Sequence, residues 1–228
     1  MRAAFCETRN MPTREVHTAE AVAWLREQHF GPEVAVVTSM PDSSEIPALK
    51  FDGWRKWFSD TAQLICERVA DDGVAIFYQT DVKLDGRWVD KGFLVSLGAE
   101  HAGSHCLWHK VVCRAPAGLT TFGRPAYAHL LCFSRAKRLE KAESFADVLP
   151  RLGEMTWARA MGLEACDAIS QFLVKFTKTR VVVDPFCGVG TMLASANEHG
   201  LDAIGVELSP KRAEKARELT LGKLPRRA

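Results

Sequence analysis

The sequence predicts an α/β fold whose central sheet is mostly parallel. Short apolar stretches rich in β-branched residues alternate with longer amphipathic stretches, the pattern of strands that alternate with helices. A turn that contains two glycines joins one of these strands directly to the next helix, a common arrangement at the ligand-binding edge of parallel sheets. With 228 residues, of which 47% are hydrophobic, the chain can bury the core of one domain.

Six strands and six helices follow from this pattern. The predicted strands are residues 33–38, 73–78, 105–113, 127–134, 180–183 and 202–206. The predicted helices are residues 18–29, 53–69, 88–97, 163–176, 191–199 and 210–219. Ser209 and Pro210 have the residue types of an N-cap and a first helical position, and Gly200 marks the end of the preceding helix.

Composition and charge limit the class of protein. Lys and Arg together number 30 and Asp and Glu 28, so the formal net charge is +2, which is compatible with a nucleic-acid partner. The seven cysteines include no C-x-x-C pair, and we find neither an apolar run that could span a bilayer nor a secretory leader. We therefore expect a cytoplasmic protein with reduced thiols and no membrane association.

The most informative segment is the turn between the strand at 180–183 and the helix at 191–199, with the sequence Asp-Pro-Phe-Cys-Gly-Val-Gly-Thr. Gly188 and Gly190 lack a Cβ, so the backbone can turn sharply there and approach a ligand closely. The free amide groups at the start of the helix can bind a polar ligand. Glu207 ends the next strand and is placed to accept both ribose hydroxyls of an adenosine cofactor.

The charge of this turn favours S-adenosylmethionine over NAD. Asp184 would repel a pyrophosphate but would bind the ammonium group of a methionine moiety, and Leu193 stands where a dinucleotide fingerprint needs a third small residue. We therefore expect S-adenosylmethionine as the cofactor, with Cys187 as a small wall residue rather than a nucleophile. The expected cofactor-binding residues of this segment are Asp184, Pro185, Phe186, Cys187, Gly188, Gly190, Thr191, Glu207 and Leu208.

The position of the turn in the chain predicts a circular permutation. The residues after Thr191 suffice for one helix, one strand and a further helix. The other strands of the sheet must therefore come from residues before the turn, with each crossover keeping its usual hand.

The sequence resembles the permuted DNA N4-cytosine and N6-adenine amino-methyltransferases, which carry the cofactor motif last. Besides the glycine-containing turn, Ser39-Met40-Pro41-Asp42 follows a strand where that family has its catalytic (Asp/Asn/Ser)-Pro-Pro-(Tyr/Phe) motif. The resemblance implies a Rossmann-like class I methyltransferase sheet, mostly parallel, with an antiparallel hairpin of the kind that ends the family's sheet. It also implies that Ser39, Met40, Pro41 and Asp42 place the methyl acceptor.

The same resemblance assigns two further parts of the cofactor site. Met155-Thr156-Trp157 is similar to the loop that closes over the cofactor, and His17-Thr18-Ala19 to the turn beside the adenine. Thr156, Trp157 and Thr18 therefore join the expected cofactor-binding residues. We expect a single methyltransferase domain over residues 1–228, made of a substrate and catalytic half (1–134), a connector (135–155) and a cofactor-binding half (156–228).

Two departures from the family affect the substrate. Asp42 stands where the family has the aromatic residue that stacks on a flipped-out base, so Asp42 is instead a candidate general base or hydrogen-bond acceptor. The connector is also too short to read several base pairs through the usual groove contacts. A structured RNA, recognised by shape, demands less, so we favour RNA over DNA, most of all tRNA, with a nitrogen as the methyl acceptor.

Two alternatives remain open. One is a DNA amino-methyltransferase that depends on a protein partner for sequence reading. The other is a catalytically silent subunit that keeps the fold as an interaction module, as the altered Ser39-Met40-Pro41-Asp42 motif could indicate.

Three other groups of polar residues are interpreted as follows. Gln79 and Asp81 follow a strand and are either pocket-lining residues or loop caps. The group His101, His105, Cys106 and His109 divides between the two faces of a strand, so we expect no metal site. Basic residues that could form a track for an RNA backbone lie at 135–138, 175–180 and 223–227 and at Arg55, Lys56 and Arg124.

Overall fold

The helices and strands are those of a computed structural model that describes residues 11–223 of the chain. The strands are β1 (Arg14–Thr18), β2 (Val34–Thr38), β3 (Ala75–Gln79), β4 (Val82–Leu84), β5 (Arg87–Val89), β6 (His105–Cys113), β7 (Tyr127–Ser134), β8 (Val148–Leu149), β9 (Val181–Asp184) and β10 (Asp202–Glu207). The α-helices are α1 (Ala21–Arg26), α2 (Phe51–Arg68), α3 (Lys91–His101), α4 (Leu163–Phe176), α5 (Thr191–Glu198) and α6 (Pro210–Glu218). Short 3-10 helices lie at Ser43–Glu45 and Leu221–Lys223.

Eight of the strands form one sheet in the order β1-β10-β9-β2-β3-β7-β6-β8, and β4 and β5 form a separate hairpin. The first five strands in that order are parallel to one another. Strand β7 runs antiparallel between β3 and β6, and β8 is parallel to β6. The carboxyl ends of all these strands except β7 therefore share one edge of the sheet, which we call the carboxyl edge. The opposite edge is the amino edge.

Different helices cover the two faces of the sheet, because successive residues of a strand point to opposite faces. Ile76 on β3 belongs to a buried cluster that contains Phe172 of α4 and also includes residues of α5 and α6. Its neighbour Phe77 belongs to a second cluster, with Trp54 of α2 and residues of α1 and α3. Both faces of the sheet are thus covered by helices. The loops that follow the parallel strands lie at its carboxyl edge.

All six predicted strands and all six predicted helices are present, in the predicted order. Strands β6 and β7 and helix α4 have the predicted bounds, and the other predicted elements differ by at most four residues at either end. The sequence does not predict β1, because it lies at the edge of the sheet and only Val16 among its residues is buried. It also misses β4, β5 and β8, since strands of two or three residues are too short to show alternation.

The predicted fold class is confirmed as a mostly parallel α/β sheet with an antiparallel hairpin, formed by β6 and β7. Although β9 comes late in the chain, it lies inside the sheet, between β10 and β2. The circular permutation and the division of the domain at residues 134 and 155 stay predictions.

The connector between β7 and α4 begins at the amino edge. Arg135 donates hydrogen bonds to the backbone carbonyls of Cys66 and Val69, at the end of α2. The chain then returns along β6 as β8, where Lys110 Nζ lies 2.7 Å from Asp147 Oδ1. The first half of the connector is therefore held far from the loops of the carboxyl edge.

Two of the three predicted basic clusters lie at the amino edge. Residues 135–138 follow the end of the antiparallel strand β7, and residues 175–180 join the end of α4 to the start of β9. Residues 224–227 of the third cluster lie outside the described residues. The predicted RNA-backbone track is therefore not continuous: Arg55, Lys56 and Arg124 are separated from the first two clusters by the sheet.

Within residues 11–223, no helix combines the length and the apolar character needed to cross a membrane. The cysteines of this part of the chain are free thiols, and Cys66, Cys132 and Cys166 among them are buried. Burial raises the pKa of Cys66 to about 12, so this thiol is protonated and unreactive at neutral pH.

Helices α2 and α3 cross closely because α3 carries a glycine at the contact. An ideal Cβ on Gly98 would overlap the carbonyl oxygen of Ser59 and lie 2.9 Å from the Cβ of Ala62. The crossing fixes the position of α3, whose first residue, Lys91, reaches the site described below.

We expect Gly98→Ala to lower the free energy of unfolding by about 1–3 kcal/mol. Overpacking at the crossing should outweigh the ~1 kcal/mol that alanine gains over glycine in helix propensity. Urea unfolding measures the difference. Gly31→Ala is the control, since a Cβ there meets nothing within 4 Å, and it should change stability by less than about 0.5 kcal/mol. Equal stabilities of the two variants would contradict the close crossing.

Candidate functional site

A cavity of about 370 Å³ opens at the carboxyl edge. It is lined by the loops after β1, β2, β9 and β10 and by the segment 155–161 before α4. The whole Ser39-Met40-Pro41-Asp42 motif lines it. So do most of the expected cofactor residues, namely Trp157, Asp184, Pro185, Phe186, Cys187, Gly188, Thr191, Glu207 and Leu208. The two groups of residues that the sequence singles out therefore meet in one space.

Asp184 is the most deeply buried charged group of this cavity. Its Oδ1 accepts a hydrogen bond from the Thr38 hydroxyl on β2 at 2.7 Å and one from the Phe186 amide at 3.1 Å. Burial raises the pKa of the carboxyl from 3.8 to about 7, and the charge of Glu207 adds to this, although the two hydrogen bonds act in the opposite direction. A cationic ligand group against this carboxyl would favour its anion.

The glycine-containing turn has a left-handed backbone at both glycines, which accounts for the sharp turn that the sequence predicts. Gly188 has φ of 57° and Gly190 of 85°. A Cβ on Gly188 would lie 3.1 Å from the Trp157 ring, so this glycine lets the loop before α4 approach the turn. Gly190 does not line the cavity, because it packs against α6, where a Cβ would lie 2.9 Å from Ala216.

Thr156 also lies outside the cavity lining. Its hydroxyl is 2.5 Å from the hydroxyl of Thr191, the first residue of α5. This contact ties the loop that contains Trp157 to the start of the helix. Thr156 thus positions the lining residues rather than joining them.

Thr18 lies beside the cavity rather than in its lining. Strand β1 ends at this residue, and its hydroxyl is 3.3 Å from Nη2 of Arg217 on α6. Glu20 lines the cavity instead, and its carboxylate accepts hydrogen bonds from the first amides of α1. Sequence reasoning missed Glu20 because the predicted helix began at residue 18. Glu20 stands two residues after the end of β1, so only a prediction of that strand could have pointed to it.

Glu207 ends β10 with its carboxylate held in place. Its Oε1 accepts from the Ser209 amide at 2.7 Å and from the Arg212 guanidinium at 2.7 and 2.9 Å. The Arg212 guanidinium also lies 5.7 Å from the centre of the Trp157 ring. Arg212 therefore links the acidic end of β10 to the aromatic side of the cavity, a contact that the sequence did not predict.

At the other end of the cavity, Asp42 is paired with two cations. Its Oδ1 lies 2.5 Å from Nζ of Lys91, which is 3% exposed, and its Oδ2 accepts from Arg124. Burial alone would raise the pKa of Asp42, but Lys91 and Arg124 outweigh it and hold the pKa below its ordinary value of 3.8. A carboxylate so engaged suits an anchor of the loop and is a poor proton acceptor.

The rest of the motif is also fixed by α2. The Trp54 indole donates to the Pro41 carbonyl at 3.2 Å, and Met40 is buried at 2% exposure although it touches the cavity. Ser39 is half-buried in the cavity wall. Ser39 is therefore the residue of the motif that presents a polar side chain not paired with a charged group.

Aromatic residues line the cavity even though Asp42 replaces the family's aromatic. Trp57 of α2 is partly exposed in the lining, and its ring meets the edge of the Phe186 ring at 6.0 Å. Tyr78 of β3 is a further lining residue. Trp57 therefore places an aromatic ring in the cavity at a site outside the Ser39–Asp42 motif.

Of the two alternatives for Gln79 and Asp81, the structure favours the loop cap for Asp81, and neither residue lines the cavity. Tyr78 and Thr80 line the cavity instead, because alternate residues point to opposite faces. Gln79 is fully buried, with neither its side-chain oxygen nor its nitrogen paired within the described residues. Asp81 is a structural acceptor of the kind expected for a loop cap, bonded to the Lys91 amide and the Trp88 indole.

One group of side chains has the spacing of a metal site within residues 11–223, formed by Asp81, Asp90 and His129. Protein groups already occupy its ligand atoms. His129 Nε2 lies 3.0 Å from Asp81, and the Asp90 side chain caps α3 by accepting from the Phe93 amide. The group is thus accounted for by the start of α3.

The order of the sheet and the position of the turn after β9 are those of a fold that is also found in solved DNA methyltransferases. A protein of Thermus thermophilus, provisionally named a DNA modification methylase, has a similar structure, with a TM-score of 0.70 and 18% identity over 93% of this chain and 96% of that one. Its complex with S-adenosyl-L-methionine gives a TM-score of 0.67 and 20% identity over 90% and 92%. The cytosine-N4-specific PvuII DNA methyltransferase gives 0.68 and 14% over 94% and 89%.

No protein-family model matches the chain, and no curated protein matches its sequence. At identities of 14–20% the likeness to these structures shows a common fold. The nature of the cofactor and substrate must therefore be argued from the residues of the cavity.

We expect Asp42→Asn to destabilise the protein by about 3–5 kcal/mol, because it leaves the Lys91 ammonium buried without a counter-charge. Adding Lys91→Met should restore most of the lost stability, which urea unfolding measures. Asp60→Asn removes the exposed pair with Lys56 and should cost less than about 1 kcal/mol. If Asp42→Asn were as mild as Asp60→Asn, the anchoring role of Asp42 would be wrong.

We expect Asp184→Asn to become more stable relative to the wild type as pH rises. The pKa of the wild-type carboxyl is about 7 in the folded protein and 3.8 for an unperturbed group. The protonated carboxyl therefore makes its full contribution to the free energy of unfolding below the pKa of the unfolded state. This contribution is lost as pH rises to about 7, by about 1.4 kcal/mol per pKa unit. Urea unfolding of both proteins at about pH 5 and about pH 8 checks this. A pH-independent difference would contradict the raised pKa.

Proposed function

We propose that the chain is an S-adenosylmethionine-dependent methyltransferase that acts on an exocyclic amine of a base in DNA. The observation that carries the proposal is the single cavity of about 370 Å³ lined both by Asp184, Gly188 and Glu207 and by the Ser39–Asp42 motif. A donor and an acceptor bound in one cavity can react directly, so catalysis consists mainly of positioning.

The residues near β9 and β10 fit S-adenosylmethionine. Asp184 would bind the methionine ammonium, which would supply the cation that its raised pKa calls for. Glu207 would accept the ribose hydroxyls, and Trp157 with Arg212 would border the adenosine. When bound, the cofactor supplies an electrophilic methyl group.

The residues after β2 would hold the acceptor. Ser39 would accept a hydrogen bond from the target amine, and Trp57 and Tyr78 would contact the face of the base in place of the missing aromatic at position 42. Asp42 would hold the loop through Lys91 and Arg124 rather than take the proton that the amine loses.

The preference for RNA, drawn from the short connector, is not supported. The structural neighbours are DNA modification methylases, and the connector begins at the amino edge, away from the cavity. Because these neighbours are named DNA methylases, DNA is the better proposal. A catalytically silent subunit remains the second candidate, because Asp42 replaces an aromatic of the family's motif.

Calorimetric titration with S-adenosylmethionine tests the cofactor assignment. We expect the wild type to bind and Asp184→Asn and Glu207→Gln each to weaken binding at least tenfold, about 1.4 kcal/mol. Asp167→Asn is the control: it removes a carboxylate on α4 that pairs with His199 outside the cavity, and it should bind normally.

Transfer of a labelled methyl group to duplex DNA and to tRNA then tests the substrate. DNA labelling that is lost in Ser39→Ala supports the proposal. Labelling of tRNA alone would contradict the DNA substrate, and no cofactor binding by the wild type would favour the silent subunit.

A further inference from the structure

The carboxyl edge carries two segments outside the cofactor half of which the proposed reaction uses only Arg124. They are the β4–β5 hairpin, residues 82–89, and the loop 115–126 between β6 and β7, which together we call the hairpin–loop surface. Its side chains are unusually exposed for apolar residues: Phe122 is 83% exposed, Leu119 58% and Trp88 46%. Exposed apolar residues that lie together mark an interaction surface.

The two segments form one surface that is continuous with the cavity. The Lys83 amide of the hairpin donates to the Gly123 carbonyl of the loop at 3.3 Å. The next residue, Arg124, reaches Asp42 in the cavity wall and lines the cavity itself. A ligand held in the cavity would therefore extend onto the hairpin–loop surface if it were a polymer.

The surface has the charge that suits a polyanion. The hairpin–loop surface contains Lys83, Arg87 and Arg124 against one acidic residue, Asp85, and Arg124 is paired with Asp42 of the cavity wall. The Lys83 ammonium lies 5.6 Å from the centre of the Trp88 ring, so a cation and an exposed aromatic are presented side by side. Proteins bind nucleic-acid strands with this combination, since cations contact phosphates and aromatic rings contact bases.

A groove next to the hairpin also combines basic and aromatic side chains. It is lined by Arg55, Arg87, Trp88 and Phe93, the last of which is 56% exposed. Asp85 and Asp90 also line this groove, but the Asp90 carboxylate accepts from the Phe93 amide and caps α3. The basic side chains of the groove remain available to phosphates.

We infer that the hairpin–loop surface binds the DNA strand that flanks the target base, an inference that rests on the proposed function. The amino-edge clusters at 135–138 and 175–180 cannot do so, because the sheet separates them from the cavity. Recognition thus comes from loops that leave β3 and β6 at the same edge as the cavity, and the short connector is no obstacle to a DNA substrate.

Fluorescence anisotropy with a labelled DNA duplex tests the inference. Lys83→Ala/Arg87→Ala should weaken binding about tenfold or more and lower the slope of log K against log salt by about 2, since each cation accounts for about 0.9. Phe122→Ala should weaken binding without changing the salt slope. Lys175→Ala/Arg180→Ala removes the same charge at the amino edge and should bind DNA like the wild type.

S-adenosylmethionine titration of each variant distinguishes a loss of DNA binding from a loss of the cofactor site, because none of these residues lines the cavity. Normal cofactor binding with weakened DNA binding in the hairpin and loop variants supports the inference. Equal DNA binding by all the variants, or a loss only in Lys175→Ala/Arg180→Ala, would overturn it. A wild type that binds the cofactor but prefers an RNA hairpin to duplex DNA would overturn the DNA assignment of this surface while leaving the cofactor site intact.

Discussion

The parallel alignment of β1, β10, β9, β2 and β3 is the constraint on which the rest of the molecule depends. Parallel strands bring their carboxyl ends to one edge, so segments far apart in the chain meet there. The hydrogen bond from Thr38 at the end of β2 to Asp184 at the end of β9 is a direct product of this alignment. Because β7 is antiparallel, β6 also ends at this edge, which brings the loop 115–126 to the cavity.

The buried ion pair of Lys91 and Asp42 connects the loop after β2 to helix α3. Lys91 opens α3, and α3 is set against α2 by the close crossing at Gly98. The loop after β2 is therefore held both by its own strand and by the ion pair of Asp42 with Lys91. Replacing an aromatic by Asp42 loses a stacking surface but gains a rigid loop, while Trp57 of α2 supplies an aromatic ring from another direction.

The sequence predicts what depends on local pattern. The strands with buried residues and the turn around Gly188 follow from periodicity and motif, whereas the role of the Ser39–Asp42 motif follows only from the resemblance to the amino-methyltransferases. Contacts between distant residues do not: Lys91 and Arg124 have no local signal that pairs them with Asp42. The edge strand β1 was missed for want of buried residues, and Glu20 with it.

The buried carboxyl group of Asp184 is hard to justify by stability alone. Burial disfavours its anion, and two hydrogen bonds to Oδ1 do not restore an ordinary pKa. An amide of the same shape would keep those contacts as an acceptor without the charge. A ligand ammonium changes the balance, because it favours the anion that the protein alone disfavours. The proposed cofactor accounts for the carboxylate in a way that the fold alone does not, and its binding should therefore favour ionisation of Asp184.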